Sequence, residues 1–479
     1  MTASATNSTV SFRAGVGRVT ITPPLTAPHA SWGAQVHVLP DGVEADLWAT
    51  ALVVDDGETA AAWVDLDIVI VSRPESDAIR AAVAEALEIP SRNVRVSVTH
   101  NHAGPPPSAW NWTRQGGEAL AGYYALLPEF AAGGARLAMQ AMRPARVAAG
   151  SGESRVAVNR REIAPGGRPV TGVNPEGVID PEVFVVRIDG SEGDSVAAVV
   201  GYTMHPTTLG PTNRLISPDW PGHLKRTVEA ITGATCLFAQ GATGDVGPGP
   251  DGYTDDVGVV RRLGQQVGCE AARVYLGLDL PAVRHRHGRV WESGAPLGQW
   301  TREPLPEEAA MVRVVSRDIM LPLIEQPPLE EARARVREAQ ARLDDLKQRG
   351  APAAGVEAAT FATKRANMAF SRAETYGGKE EFAVELHALQ IGPAVLAGTE
   401  GEPFAAIGMA IKERSPFAAT WFGGYTGGWS GYIPTAEEYP RGGYEVDTSP
   451  FAPEAAARLV EETLAALREL ESASRETST

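Results

Sequence analysis

The sequence predicts an α/β fold: mixed β-sheets with surrounding helices, plus an inserted antiparallel helical hairpin. Three observations predict it. Apolar runs of strand composition alternate with one-faced helical stretches from about residue 48 to residue 277. Asp-Asp-Gly-Glu at 55–58 and Gly-Ser-Glu-Gly-Asp at 190–194 are turn sequences that fold two of those runs back as β-hairpins. A charge-rich segment beginning at Pro328 then breaks the alternation with a heptad spacing.

The elements follow in order. Residues 17 to 70 read as strands and turns, with TALVVDDGETAAAWVDLDIVIV forming two extended runs around its turn. PESDAIRAAVAEALEI is a helix with apolar residues on one face, ended by Pro90. NVRVSV is a strand, which completes a β-α-β unit and leaves His100 and His102 on the loop beyond it. Residues 117 to 142 are helical, and RVAAGSG returns to strand. VFVVRIDGSEGDSVAAVVGYTMHP is a second hairpin that runs straight into His205. WPGHLKRTVEAI is a short helix, TCLFAQ a strand entering the glycine-rich GATGDVGPGP, and 257–277 a further helix. In PLEEARARVREAQARLDDLKQRG, the residues Leu329, Ala332, Val336, Ala339, Leu343 and Leu346 recur at three and four, and Gly350 stops the pattern. A second helical stretch from about 354 to 375 makes the antiparallel partner. The work expected of this hairpin is a packing arm or a homo-oligomer contact.

Composition narrows the function. The chain has 479 residues, 43% hydrophobic and 21% charged, with a formal net charge of −16. No cluster of Lys and Arg reverses that sign, so neither nucleic acid nor an anionic membrane surface is an expected partner. Two cysteines, Cys236 and Cys269, exclude a disulfide framework. The first twenty residues lack the basic and apolar blocks of a secretion signal, and no stretch approaches the roughly 20 apolar residues of a membrane helix. The expected location is the cytoplasm.

Of nine histidines, His29, His37, His285, His287 and His387 lie in stretches with no second signal and read as structural or surface residues. His100, His102 and His205 lie directly past apolar strands, at the edge where α/β sheets bind ligands. Neutral imidazoles there suit a catalytic metal with an open position. A hydrogen-bonded structural pair is the other reading of the spacing. Asp245 stands in a glycine loop that lacks the Gly-Lys-Ser/Thr of a phosphate-binding loop. Glu400 and Glu402 lie between a strand and a helix, and GGYTGGWSGYIPTAEEYPRGGYE crowds glycines and aromatics into one irregular stretch.

Seven segments stand in one family's order. They are GVGRVTITPP at 15–24, VSVTHNHAGP at 96–105, VNRRE at 158–162, HPTTLGPTNRLISPDWPG at 205–222, AQGATGDVGP at 239–248, GEPF at 401–404, and SGYIPTAEEYPRGGYE at 430–445. Together they resemble the catalytic domain of the neutral/alkaline non-lysosomal ceramidases. The resemblance implies one catalytic domain over residues 1–479, with the helical hairpin of 328–376 inserted and without the family's C-terminal β-sandwich. It implies one zinc ion held by His100, His205, Glu402 and Tyr432, with Glu400 and Tyr425 as the alternatives should the register slip. His102 then resembles a proton carrier and Arg160 the group that holds a substrate oxygen. Asn213, Asp219, Asp245 and Tyr425 would touch substrate or support the site.

One departure matters. Where the family's glycine loop carries a serine before Pro-Asn, this chain has Gly247, and Gly249 replaces the asparagine. A serine-nucleophile mechanism is therefore not carried over, and the metal-activated water is. The expected activity is zinc-dependent cleavage of an amide bond in a small soluble substrate. Ester or lactone hydrolysis on the same metal is the alternative, and an inactive binding protein of the same fold is the third reading.

Overall fold

The computed structural model describes residues 12–108, 115–306 and 310–476. Strands Trp48–Asp55 and Ala60–Leu66 pair antiparallel across a turn where Gly57 takes a φ of 85°. The Asp55 and Asp56 carboxylates accept backbone N–H bonds in that turn, which is why the Asp-Asp-Gly-Glu sequence makes it. This pair belongs to an eight-stranded mixed sheet. Its order is Thr235–Gln240, Ser195–Tyr202, Glu182–Gly190, Arg143–Glu153, Arg13–Thr20, Trp48–Asp55, Ala60–Leu66, Val94–Val98. The outermost pair at each end is parallel and the pairs between are antiparallel.

The two ends of this sheet meet. The amide of Phe238 donates to Asp65 Oδ2 at 3.0 Å, and the Gln240 side chain donates to Thr99 O at 3.2 Å. Lys225, buried on the helix Asp219–Thr232, sits in the seam, 2.6 Å from Asp67 Oδ1 and 3.2 Å from Asp65 Oδ2. The closure brings the loops after Val94–Val98, Ser195–Tyr202 and Thr235–Gln240 to one place, although these strands are distant in the sheet order.

Helices cover the sheet. Arg73–Leu87 starts on a Ser72/Glu75 capping box and buries Ile79, Val83 and Leu87, one face at helical spacing. Gly117–Gln140 lies so close to the strand Arg13–Thr20 that a Cβ on Gly17 would stand 2.5 Å from Gly134 O. Asp219–Thr232 and Val257–Gly277 pack as a pair over the sheet's other end.

A second, four-stranded sheet runs Val312–Pro322, Glu381–Ile391, Ala394–Thr399, Ala419–Gly423. It is backed by Ala405–Arg414 and by Ala455–Glu476, which buries Leu459, Leu464, Leu467 and Leu470. An ion pair in which Arg80 Nη2 donates to both Glu385 carboxylate oxygens, at 2.6 and 2.7 Å, ties it to the first sheet's helix layer. The antiparallel helices Leu329–Gln348 and Ala353–Tyr376 are inserted between its first two strands, and Gly350 turns at a φ of 61°. Ala332 and Leu343 of the heptad seam are buried, and Val336, Ala339 and Leu346 are half-buried. Among the described residues no helix is long and apolar enough to cross a membrane. Several elements had no counterpart in the sequence reading: the pair Ala157–Ile163 with Pro169–Asn174, the strands Val312–Pro322 and Glu381–Ile391, and a two-stranded ribbon, Val283–Trp291 with Leu297–Pro304.

Candidate metal centre

The strand Val94–Val98 ends at a residue that departs from extended geometry. His100 has a φ of 63°, which swings its ring back over the sheet edge, and its amide donates to Ile68 O. Its Nδ1 lies 2.7 Å from Val69 O. His102 Nδ1 lies 3.0 Å from Ser31 O, and His205 Nδ1 lies 3.2 Å from Thr243 O. A carbonyl only accepts, so each Nδ1 carries the proton and each Nε2 presents a lone pair.

Those three Nε2 atoms point at one another. His100 Nε2 is 3.0 Å from His205 Nε2 and 3.3 Å from His102 Nε2. Three acceptors at this range repel unless a cation stands among them. Protonation is not the remedy, because burial pushes His100 and His102 down to about 3 and His205 well below its ordinary range. The three form a group that can hold a metal ion.

A carboxylate completes the cluster. Glu402 Oε2 is 3.7 Å from His100 Nε2 and 3.8 Å from His205 Nε2. Donors arranged tetrahedrally at about 2.0–2.2 Å from zinc would stand roughly 3.3–3.6 Å apart, and the separations here, 3.0 Å between His100 and His205 and 3.7 and 3.8 Å to Glu402, bracket that range. Burial raises the Glu402 carboxyl above its usual range, which again favours a cation beside it. Two groups aim it: Trp429 Nε1 donates to Oε1 at 2.9 Å, and Tyr425 Oη donates to Oε2 at 3.2 Å. Glu402 pairs in parallel register with Tyr432 in a two-residue ladder, so the tyrosine enters from the adjacent strand.

Arg160 faces the same pocket. Its Nε donates to Glu445 Oε1 at 2.9 Å, and its terminal nitrogen reaches Gly244 O at 2.8 Å and Tyr432 Oη at 3.0 Å. Trp32 lies over His102 at 5.2 Å between ring centroids, with Tyr253 edge-on to it at 5.8 Å. The Tyr253 hydroxyl is buried without a hydrogen-bond partner, at a residue whose φ is 59°. A Cβ on Gly247 would stand 3.3 Å from that hydroxyl.

The structure therefore brings His100, His102, His205, Glu402, Tyr425, Tyr432 and Arg160 together. Glu400, the register alternative, is turned away, accepting from Arg73 at 2.8 Å and from the Glu385 amide at 3.0 Å. Tyr425, expected at the substrate, stacks on His100 at 4.1 Å and holds Glu402. Three residues expected at the substrate are occupied by the chain itself. Asn213 binds Leu215 O and N through its two amide atoms. Asp219 accepts from the Leu209 and Trp220 amides, and Asp245 from the Ala405 amide and the Asn159 side chain. These bonds hold the His205 loop and the glycine loop in shape. Trp32, Thr243, Tyr253, Trp429 and Glu445 were missed by sequence reading; only the aromatic crowding around Trp429 hinted at any of them. His29 is buried and pairs with His37 at 3.0 Å, His387 is buried, and His285 and His287 are exposed.

A closed α/β sheet whose strand-end loops converge three imidazole lone pairs and a buried carboxylate defines a protein with a preformed metal-binding cluster. The chain belongs to the neutral/alkaline non-lysosomal ceramidase family, whose N-terminal model matches residues 12–258. It is 24% identical to the neutral ceramidase of Pseudomonas aeruginosa over 253 residues, a match that spans 50% of this chain and 37% of that protein. The crystal structure of neutral ceramidase from Pseudomonas aeruginosa superposes with a TM-score of 0.64 at 19% identity, over 96% of this chain and 75% of that one. A ceramidase complexed with C2 gives a TM-score of 0.65 at 17% identity, over 96% and 76% of the two chains. These superpositions show a shared fold.

Proposed function

We propose that this chain is a metal-dependent hydrolase that cleaves an amide bond, with His100, His205 and Glu402 holding zinc and Tyr432 beside them. One observation carries the reading: three imidazoles, those of His100 and His205 buried and that of His102 half-buried, aim unprotonated Nε2 atoms at one point while carbonyls hold every Nδ1. When bound, zinc supplies Lewis-acid polarisation and a water whose pKa falls to about 7. The donor set of nitrogen and oxygen suits that ion.

The chain's own groups divide the remaining work. Arg160, locked by Glu445 and Gly244 O, holds the substrate carbonyl oxygen as charge develops on it. His102 is the one half-exposed member of the histidine group, so it can exchange protons with substrate and solvent. Its Nε2 takes a proton from the attacking water and returns it to the leaving nitrogen. Tyr253 offers the hydroxyl nearest the gap at Gly247 and donates to the substrate there. Asp219 and Asp245 act by positioning the loops that carry His205 and Arg160.

The amide class comes from the Pseudomonas relative, whose name specifies ceramide, an N-acyl amide. The test is a panel of small N-acyl amides, detergent-dispersed ceramide, esters and lactones on protein of measured metal content. The expected result is one zinc per chain and turnover on N-acyl amides, both lost in His100→Ala. Protein without bound metal overturns the metal reading. Full metal with turnover confined to esters or lactones favours the alternative activity, and full metal with no turnover favours a binding protein.

A further inference from the structure

The ribbon Val283–Trp291 with Leu297–Pro304 is an anomaly in an otherwise well-covered molecule. Its hydrogen-bond ladder runs only between its own two strands, from Val283↔Pro304 to Trp291↔Leu297. Only Val283, Gln299 and Glu303 among its strand residues are even half-buried. A two-stranded ribbon with both faces in water is marginally stable at best. This one nevertheless keeps a long regular ladder, interrupted by a bulge between His287 and Arg289.

Its side chains are those of an interface. Trp291 and Trp300 are each 61% exposed, and Val290 and Leu297 are exposed beside them. The strand alternation places Trp291 with Leu297 on one face and Trp300 with Val290 on the other, so both faces carry an apolar anchor. Arg284, Arg286, Arg289 and Arg302 outnumber Glu292 and Glu303, which makes the ribbon net positive on a chain whose charge is −16. Arg284 and Arg286 share Glu303, whereas Arg289 bonds only the neutral Gln299 side chain. Tryptophan and arginine are the residues enriched at the centre of protein interfaces.

We propose that the ribbon Val283–Pro304 is an arm that docks on a second copy of this chain. A second copy fits for two reasons. The acidic body of this same chain is the complement of a positive arm, and a two-fold pair lets each arm reach the other's body. A ribbon that needs cover to hold its ladder also needs a partner that is always present, and only its own chain is present wherever the ribbon is. An anionic membrane would attract the arm and repel the body behind it.

Light scattering coupled to gel filtration, on the full metal-replete chain over a hundredfold concentration range, tests the inference without a substrate. The expected mass is a multiple of the monomer's. Trp291→Ser/Trp300→Ser and, separately, Arg289→Glu/Arg302→Glu should give the monomer mass with unchanged far-ultraviolet circular dichroism and metal content. A third variant, in which a short Gly-Ser turn replaces residues 284–303, should do the same even if the point variants misfold. A wild-type monomer across the range, or variants that keep the oligomer mass, overturns the inference. So does a monomer that pellets with phosphatidylserine vesicles only when the ribbon is intact, an outcome that assigns the arm to a lipid surface.

Discussion

His100, Asp219, Tyr253 and Tyr425 all take left-handed backbone angles, with φ of 63°, 53°, 59° and 58°. Each such residue without glycine's freedom costs about 1–2 kcal/mol, and here they gather around one cluster. The cost is offset by what each angle aims: an imidazole, the brace of the His205 loop, an unbonded phenol and a stacked one. His100→Ala should reduce zinc from one equivalent to near none, read by elemental analysis. His102→Ala should keep the metal and lower kcat by about 10²–10⁴-fold, the usual worth of a positioned proton carrier; loss of metal instead would make His102 a ligand. Tyr253→Phe should retain metal and fold and lower kcat/KM by about 10–100-fold, as expected when a hydrogen bond to substrate is removed. Acid should weaken the metal-free protein. The folded values of His100 and His102 lie at about 3, below the unfolded value near 6.5. Stability is therefore complete above about 6.5 and is lost as pH falls toward 3. Melting temperature of the metal-free chain should drop across that window, and drop less in His100→Asn.

The elements place these residues by stopping at the right point. The strand Val94–Val98 stops short of His100, the prolines at 105–107 keep the chain beyond His102 irregular, and the glycines from Gly423 onward let backbone pass close to backbone. Gly423 is the tightest of these positions: a Cβ there would stand 1.8 Å from Gln240 O, at the junction of the two sheets. Gly423→Ala should destabilise the chain by about 1–3 kcal/mol and lower its melting temperature, because backbone on backbone has no rotamer to yield. Gly233, which closes the helix Asp219–Thr232 at a φ of 74° with open space around it, illustrates the contrast. There the left-handed angle, not crowding, asks for glycine.

At the scale of the molecule, the site exists because the eight-stranded sheet meets itself. His100 and His205 stand at opposite regions of the strand order and touch only across the closed seam. Lys225 is the cation bonded to both buried aspartates in that seam. Lys225→Met would remove the cation bonded to these carboxylates, and stability should fall by about 3–5 kcal/mol in denaturant unfolding. Metal affinity should fall with it, which an exposed-site destabilisation such as Arg414→Ala would not reproduce. Removing metal with a chelator should lower the melting temperature of the wild type, since an ion bound only by the folded chain stabilises it by mass action.

Much of this was legible from the chain alone, for identifiable reasons. Strands and helices follow local periodicity and turn chemistry, so the hairpins at Gly57 and Gly193, the capped helix after Ser72 and the helical pair around Gly350 could be read directly. His100, His205 and Glu402 were readable because short motifs hold them in a family order. The residues that escaped act through space. Trp429 aims Glu402, Ser31 and Thr243 hold imidazole protons through backbone carbonyls, and no sequence pattern marks a carbonyl. Asn213, Asp219 and Asp245 looked like substrate groups because a polar side chain in a loop reads the same whether it faces a ligand or its own backbone. The ribbon at 283–304 escaped because its tryptophans and arginines have no core to alternate against. The sequence alone determined which elements form and which residue types could bind metal, since those depend on neighbours a few residues away. The tertiary structure alone decided which lone pairs meet and which polar groups are already bonded, because both are set by the closure of a sheet whose ends lie more than a hundred residues apart.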